Sequence, residues 1–251
     1  MEKTETPKLT TEHIHLWVIS LKNTKLLENI DLENFFPSDE LAKANSFAFP
    51  NLQLNYLFRR FALRVILSRY IDIEPNKINI SYGNFHKPYL SNSDLHFNIT
   101  DSGDIAFIAV ARNDSIGVDV ELIKPIEDIL EIAKTIFSNI EFDEFLQISP
   151  EEQLLAFYNL WTRKEAFIKA IGHGLFFPLK EVNVSFLSSE QPQISFVDQH
   201  SVGSDVKWFL DGGIFNHLSS KYVFSLVSAT SSKNIQLLYF NQETREEIIW
   251  R

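Results

Sequence analysis

The sequence predicts an α+β fold built from two similar halves that meet near residues 112–117. Three observations predict it. Two long helical patterns, within 52–70 and from 150 to 171, each stand among groups of short apolar strands. The strands come in runs separated by Gly, Asn, Ser and Pro, without the strict strand–helix alternation of a parallel sheet. With 45% hydrophobic and only 22% charged residues in 251, the chain can bury a large core, and its 22 Phe make much of that core aromatic. No sequence repeat relates the halves.

Residues 1–12 are polar and read as a flexible tail, followed by an N-terminal half over 13–114 and a C-terminal half over 115–251. "HIHLWVISL" is a first strand. "LQLNYLFRRFALRVILSRY" sets Leu54, Leu57, Phe58, Phe61 and Val65 at helical spacing. "INISY", "LHFNIT" and "IAFIAVA" are strands, and "SIGVDVEL" is the next, ended by Lys124–Pro125. "IEDILEIAKTIF" and "IEFDEFLQI" are short helices. In the clearest helix Ser149 is the N-cap, Pro150 takes the first position, Glu152 completes a capping box, and Gly172 stops it. "VNVSF", "QISFV", "VKWFL", "YVFSLVSA" and "IQLLYF" close the chain as strands.

A net charge of −10 without a basic run argues against nucleic-acid binding. The absence of cysteine excludes disulfides, thiolate metal sites and a Cys nucleophile. The N-terminus lacks the apolar stretch of a signal peptide, and the longest strongly apolar run, 105–111, is too short to span a bilayer. The expectation is a soluble cytoplasmic protein with no membrane partner. His13 and His15 alternate on a strand without a third ligand nearby in sequence, which makes zinc improbable. No Walker loop, G-x-S-x-G elbow or dinucleotide fingerprint is present.

In "SIGVDVELIKP", Asp119 and Glu121 project from one face of a strand, where like charges repel. Trp161, Glu165 and Lys169 fall on one helix face. The plain alternatives are a solvated strand face and a surface Glu–Lys pair. Together, three carboxylates offer the hard oxygen ligands that Mg²⁺ prefers, with Mn²⁺ also suited, and Lys169 is placed to meet phosphate charge. The prediction is a metal–phosphate site. "HKPYL" and "FNITDSG" read alone as ordinary turns, the second able to offer backbone N–H groups to an anion.

Taken in order, "KP" (87–88), "FNITDSG" (97–103), "GVDVE" (117–121), "FSNIE" (137–141) and "WTRKEAFIK" (161–169) resemble the surfactin-type 4′-phosphopantetheinyl transferases. Those proteins share Lys-Pro, F-N-x-S-H-S-G, G-[IV]-D-[IV]-E, F-S-x-x-E and W-[ST]-x-K-E-[AS]-x-x-K. The match spans roughly residues 85–186. The resemblance implies a pseudo-dimeric α+β fold of the 4′-phosphopantetheinyl transferase type. It implies transfer of the phosphopantetheine arm of coenzyme A to a serine of an apo acyl or peptidyl carrier protein, releasing 3′,5′-ADP, by a monomeric Mg²⁺-dependent enzyme. Asp119, Glu121 and Glu165 would hold the metal, and Glu165 would help deprotonate the serine. Lys169 would stabilise phosphoryl charge. Lys87, Pro88, Thr100, Asp101 and Lys43 would line the coenzyme A site, Glu141 would sit near the metal, and Trp161 would pack.

Two departures stand out. Asp101 replaces the family's histidine beside the nucleotide 3′-phosphate, and Asn55 stands where the early helix often carries arginine; of a lysine-rich stretch only Lys43 remains. An acid there predicts weakened coenzyme A binding, or tolerance of the form lacking the 3′-phosphate. Arg163, Lys164 and Lys134 are candidates for a basic patch meeting an acidic carrier. The alternative function is a non-catalytic module of the same fold that binds a carrier protein or a nucleotide; a metal-dependent phosphohydrolase is a further enzyme reading.

Overall fold

Short β-rich segments and two long helices make up the computed structural model, which describes residues 7–174, 177–187, 190–197, 204–229, 234–240 and the backbone of 248–250. The elements are β1 (His13–Ser20), α1 (Leu32–Phe35), α2 (Ser38–Asn45), α3 (Pro50–Ser68), β2 (Ile80–Tyr82), β3 (Pro88–Leu90), β4 (Leu95–Ser102), β5 (Ile105–Arg112) and β6 (Ile116–Leu122). They continue with α4 (Ile129–Ile136), α5 (Asn139–Phe145), α6 (Pro150–Ile171), β7 (Val182–Val184), β8 (Ile194–Phe196), β9 (Phe209–His217), β10 (Ser220–Ser228), β11 (Asn234–Phe240) and β12 (Ile248–Trp250). Residues 1–6 of the expected tail lie outside the described residues, whereas Leu9 is buried in the core beneath α3.

The fold is α+β, with two four-stranded sheets ordered β11-β1-β5-β4 and β12-β9-β10-β6. Their wiring is the same. β1 leads through α3 into the hairpin β4–β5, and β5 returns antiparallel onto β1. β6 leads through α6 into the hairpin β9–β10, and β10 returns antiparallel onto β6. The duplication invisible as a repeat is present as topology. One strand crosses over: β11, late in the chain, runs parallel to β1 from His13↔Asn234 to Ile19↔Phe240.

Strand parity sorts the core. Trp17, Ile19, Ala106 and Ile108 face α3, while Leu16, Val18, Phe107 and Ala109 face Val118, Val120, Phe224 and Leu226 of the other sheet. Val223 and Val227 point the other way, into the clusters that include α6. The layers are therefore helix, sheet, sheet, helix, and each fully buried large apolar side chain contributes roughly 2–3 kcal/mol. A separate polar staple fixes α2 on α3. Burial pushes the Glu40 carboxyl up, but Arg60 and Arg64 outweigh it and hold it below its ordinary value. Arg64 also donates to the carbonyls of Pro75 and Ile78, at 3.2 and 2.8 Å.

Two local expectations are corrected. "VKWFL" contributes only its last residues to β9, which continues through Gly212 and Gly213 to His217. A Cβ at Gly212 would lie 2.4 Å from the Phe224 carbonyl oxygen, so this glycine serves close strand approach and not a turn. At α6, Ser149 stands at the N-cap and Pro150 opens the helix as expected, but the capping box is absent: the Ser149 hydroxyl donates to Glu152 Oε2 at 3.0 Å and caps no backbone amide. The full capping box is at α5, between Ser138 and Glu141.

Candidate active site

Gly117 sets the site's geometry. A Cβ there would fall 2.0 Å from the Ala166 carbonyl oxygen and 2.4 Å from the Ala170 amide nitrogen. Only glycine lets the backbone of α6 lie this close to β6, and the helix residues at the crossing are alanines. The approach brings Trp161, Glu165 and Lys169 over Asp119 and Glu121. Lys169 Nζ donates to Asp119 Oδ1 at 2.6 Å and to Thr100 Oγ1 at 3.1 Å, and Thr100 Oγ1 donates to Asp119 Oδ1 at 3.1 Å. Lys169 is thus bonded to the strand acid, not displayed as half of a surface Glu–Lys pair. Nor is Asp119 on a solvated face: it is only 4% exposed.

The partners across the seam come from β4 at every second residue. Asn98 Oδ1 accepts from the Val118 amide at 2.9 Å, Thr100 reaches Asp119, and Ser102 Oγ accepts from the Leu122 amide at 3.0 Å while donating to Glu121 Oε2 at 2.9 Å. Trp161 Nε1 donates to Glu121 Oε1 at 3.4 Å. Asn98 and Ser102 escaped the reading of the sequence, although their spacing with Thr100 is itself the signal: residues i, i+2 and i+4 share one face of a strand. The same parity turns Asp101 away toward α3, where it forms an ion pair with Arg59.

The carboxylates are under electrostatic pressure. Burial, then Asp119 and Glu121, push Glu165 up to about 7 against the opposing pull of Lys169. Burial raises Asp119 as well, partly offset by Lys169 and Thr100. Asp119 Oδ2 and Glu165 Oε1 are buried and have no hydrogen-bond partner among the described residues. No group of three His, Asp or Glu side chains among the described residues forms a ready-made metal cage. The two unpartnered oxygens nevertheless fit a hard cation such as Mg²⁺, which takes few protein carboxylates and completes its shell with water and substrate phosphate.

Other expected residues have different placements. Lys87 Nζ donates to the carbonyls of Ile116 and Ala170 at 3.0 and 2.9 Å, satisfying an orphan carbonyl at the C-terminal end of α6; burial lowers it to about 8. Lys87 and Pro88 border a cavity of about 290 Å³ whose walls include Tyr89, His96 and Phe97. Lys43 is exposed on α2, 5.5 Å from the centroid of the Phe47 ring, and Asn55 is half-buried on α3.

Glu141 acts as a strut, its carboxylate engaged by the backbone and by Lys164, the residue before Glu165. It accepts from the Ser138 amide (2.8 Å), the Val184 amide (2.8 Å) and Lys164 Nζ (2.6 Å). This overturns the exposed basic patch in part. Lys164 is fully buried, also donating to the Leu179 carbonyl at 2.8 Å, and Arg163 is buried against Ser185. Lys134 alone of the three is exposed. No helix among the described residues is long and apolar enough to cross a membrane.

The family model of the 4′-phosphopantetheinyl transferase superfamily matches residues 115–226, the stretch holding β6, α6 and most of β10. The chain is 33% identical over 194 residues to the 4′-phosphopantetheinyl transferase HetI of Nostoc sp., covering 75% of this chain and 81% of that protein. It is 34% identical over 175 residues to the 4′-phosphopantetheinyl transferase Sfp of Bacillus subtilis, covering 69% and 77%. It is also 29% identical over 189 residues to the 4′-phosphopantetheinyl transferase gsp of Aneurinibacillus migulanus, covering 73% and 77%. This chain belongs to the 4′-phosphopantetheinyl transferase superfamily.

Proposed function

We propose that the chain transfers the phosphopantetheine arm of coenzyme A to a serine of an apo acyl or peptidyl carrier protein, giving holo-carrier and 3′,5′-ADP. The observation that carries the reading is the juxtaposition of Asp119, Glu165 and Lys169 at the seam, with two unpartnered carboxylate oxygens beside a lysine bonded to Asp119. A module that only bound carrier or nucleotide would have no use for like charges buried together.

Asp119, Glu121 and Glu165 would hold the cation, Mg²⁺ or Mn²⁺. When bound, it relieves their mutual repulsion and supplies Lewis-acid stabilisation to the pyrophosphate. The serine oxygen forms a bond to the phosphorus that carries the pantetheine arm, and the bond from that phosphorus to the bridging oxygen breaks, so that 3′,5′-ADP leaves. Glu165 accepts the serine proton directly or through a water. Lys169 meets the charge that gathers on the phosphoryl oxygens, and Thr100, whose proton goes to Asp119, holds that acid in place. On the family resemblance we assign Lys87 and Pro88 to the nucleotide end of the site, whereas Asp101, paired with Arg59, and Lys43, exposed on α2, stand outside the carboxylate group.

Both halves of the seam come from one chain, so a single copy forms the site, and we read the enzyme as monomeric and cytoplasmic. Chromatography of the products tests this assignment. With coenzyme A, an apo carrier and Mg²⁺, 3′,5′-ADP appears in a one-to-one ratio to modified carrier and its formation stops with EDTA. Nucleotide released without carrier would instead identify a phosphohydrolase.

A further inference from the structure

We infer that Ser102 and Trp161 are positioning residues for Glu121, fixing its carboxylate before a cation arrives. The inference rests on the metal reading above and adds two residues to it. Glu121 differs from the other two acids. Asp119 and Glu165 each retain a buried oxygen without a partner, whereas both oxygens of Glu121 are engaged, Oε2 by Ser102 Oγ at 2.9 Å and Oε1 by Trp161 Nε1 at 3.4 Å. The two donors come from opposite sides, Ser102 from the end of β4 and Trp161 from α6.

Ser102 is itself aimed. A hydroxyl has one proton and two acceptor sites, and the Leu122 amide, at 3.0 Å, fills one acceptor site. The single O–H proton is then left for Glu121. Because the fixing amide is the one following Glu121, strand and carboxylate are held by the same oxygen. Glu121 sits near the end of β6 and is only partly buried, so without these donors its flexible side chain would sample several rotamers. Freezing it on binding would cost about 1 kcal/mol or more. Outer groups that orient metal-binding side chains typically change metal affinity about 10–100-fold when removed. The 3.4 Å contact makes Trp161 the weaker support of the two.

Thermal unfolding of the full chain, titrated with Mg²⁺ or Mn²⁺ in the absence of coenzyme A and carrier, separates metal binding from turnover. The wild type gains stability as either cation is added. Ser102→Ala moves the concentration at which that gain sets in upward by about tenfold, and Ser102→Thr, which keeps the hydroxyl, restores it. Trp161→Phe shifts it by a smaller factor. Leu63→Ala, a truncation in the core under α3, lowers the metal-free midpoint but leaves the metal dependence in place. Should Ser102→Ala fail to fold, Trp161→Phe and Ser102→Thr carry the comparison. A metal dependence unchanged in Ser102→Ala or, where that variant does not fold, in Trp161→Phe overturns the inference, as does an equal shift in Leu63→Ala. A wild type indifferent to both cations overturns the metal reading itself, and the positioning roles with it.

Discussion

Glu165 occupies a position that favours chemistry over stability. Its folded-state value of about 7 lies above the ordinary 4.5, so the native metal-free protein holds a proton that the unfolded chain has lost between those limits. The stability tied to this proton is full below about pH 4.5 and is lost as pH rises through about 7. Glu165→Gln removes the liability. In the presence of EDTA the variant is expected to unfold at a higher temperature than wild type at pH 8 and at nearly the same temperature at pH 5, by calorimetry. Adding Mg²⁺ at pH 8 raises the wild type and not the variant. Asp101 poses the second residue-scale question, because its ion pair with Arg59 already neutralises much of its charge. The expected outcome is a weak preference for coenzyme A over 3′-dephospho-coenzyme A in competition, strengthened in Asp101→His. A strong preference in the wild type would end that idea.

At the scale of elements, the site depends on how close α6 comes to β6, and Gly117 controls that distance. Gly117→Ala drives a methyl into the backbone of α6. It is expected to cost about 3 kcal/mol or more in urea unfolding and to abolish transfer, although no catalytic atom is removed. The buried Lys164–Glu141 pair ties α6 to α5 and to the end of β7. Lys164→Met leaves a stranded buried carboxylate and is expected to lose about 3–5 kcal/mol. Glu141→Gln in that background removes the stranded charge, keeps an acceptor for one of the two amides of Ser138 and Val184, and recovers part of the loss. Much of this was legible: alternation identified β1, β4, β5, β6 and β10, and helical spacing identified α3 and α6. What escaped depended on neighbours. The strand expected over "VKWFL" stops short of Gly212–Gly213, whose place in β9 shows only once β10 is seen to press against it. Ser149 and Ser138 are both N-caps with the same S-x-x-E spacing, but only the Ser138 side chain bonds its helix backbone. Lys164 and Arg163 look like surface charge because burial of one polar face of α6 leaves no mark in the helical period.

The whole molecule repeats one strand–helix–hairpin unit and places its reactive groups where the copies meet. β4 from the first unit and β6 from the second lie edge to edge, joined through Asn98, Thr100 and Ser102. The carboxylates and Lys169 were readable from residue types and spacing, since Asp119, Glu121 and Glu165 make little sense as three separate surface charges. The seam itself was not readable, because each contact across it joins stretches far apart in sequence and of no shared pattern. The parallel return of β11 onto β1 binds the units further, with Phe240 buried beneath α3. Covalent transfer at this seam is the central claim, and intact mass measures it most directly. Incubating the protein with coenzyme A, Mg²⁺ and a set of apo acyl and peptidyl carriers should add one phosphopantetheine group to a carrier. Asp119→Ala and Glu165→Ala, shown to be folded, should add none. No added mass on any carrier, or undiminished transfer by both variants, would contradict it.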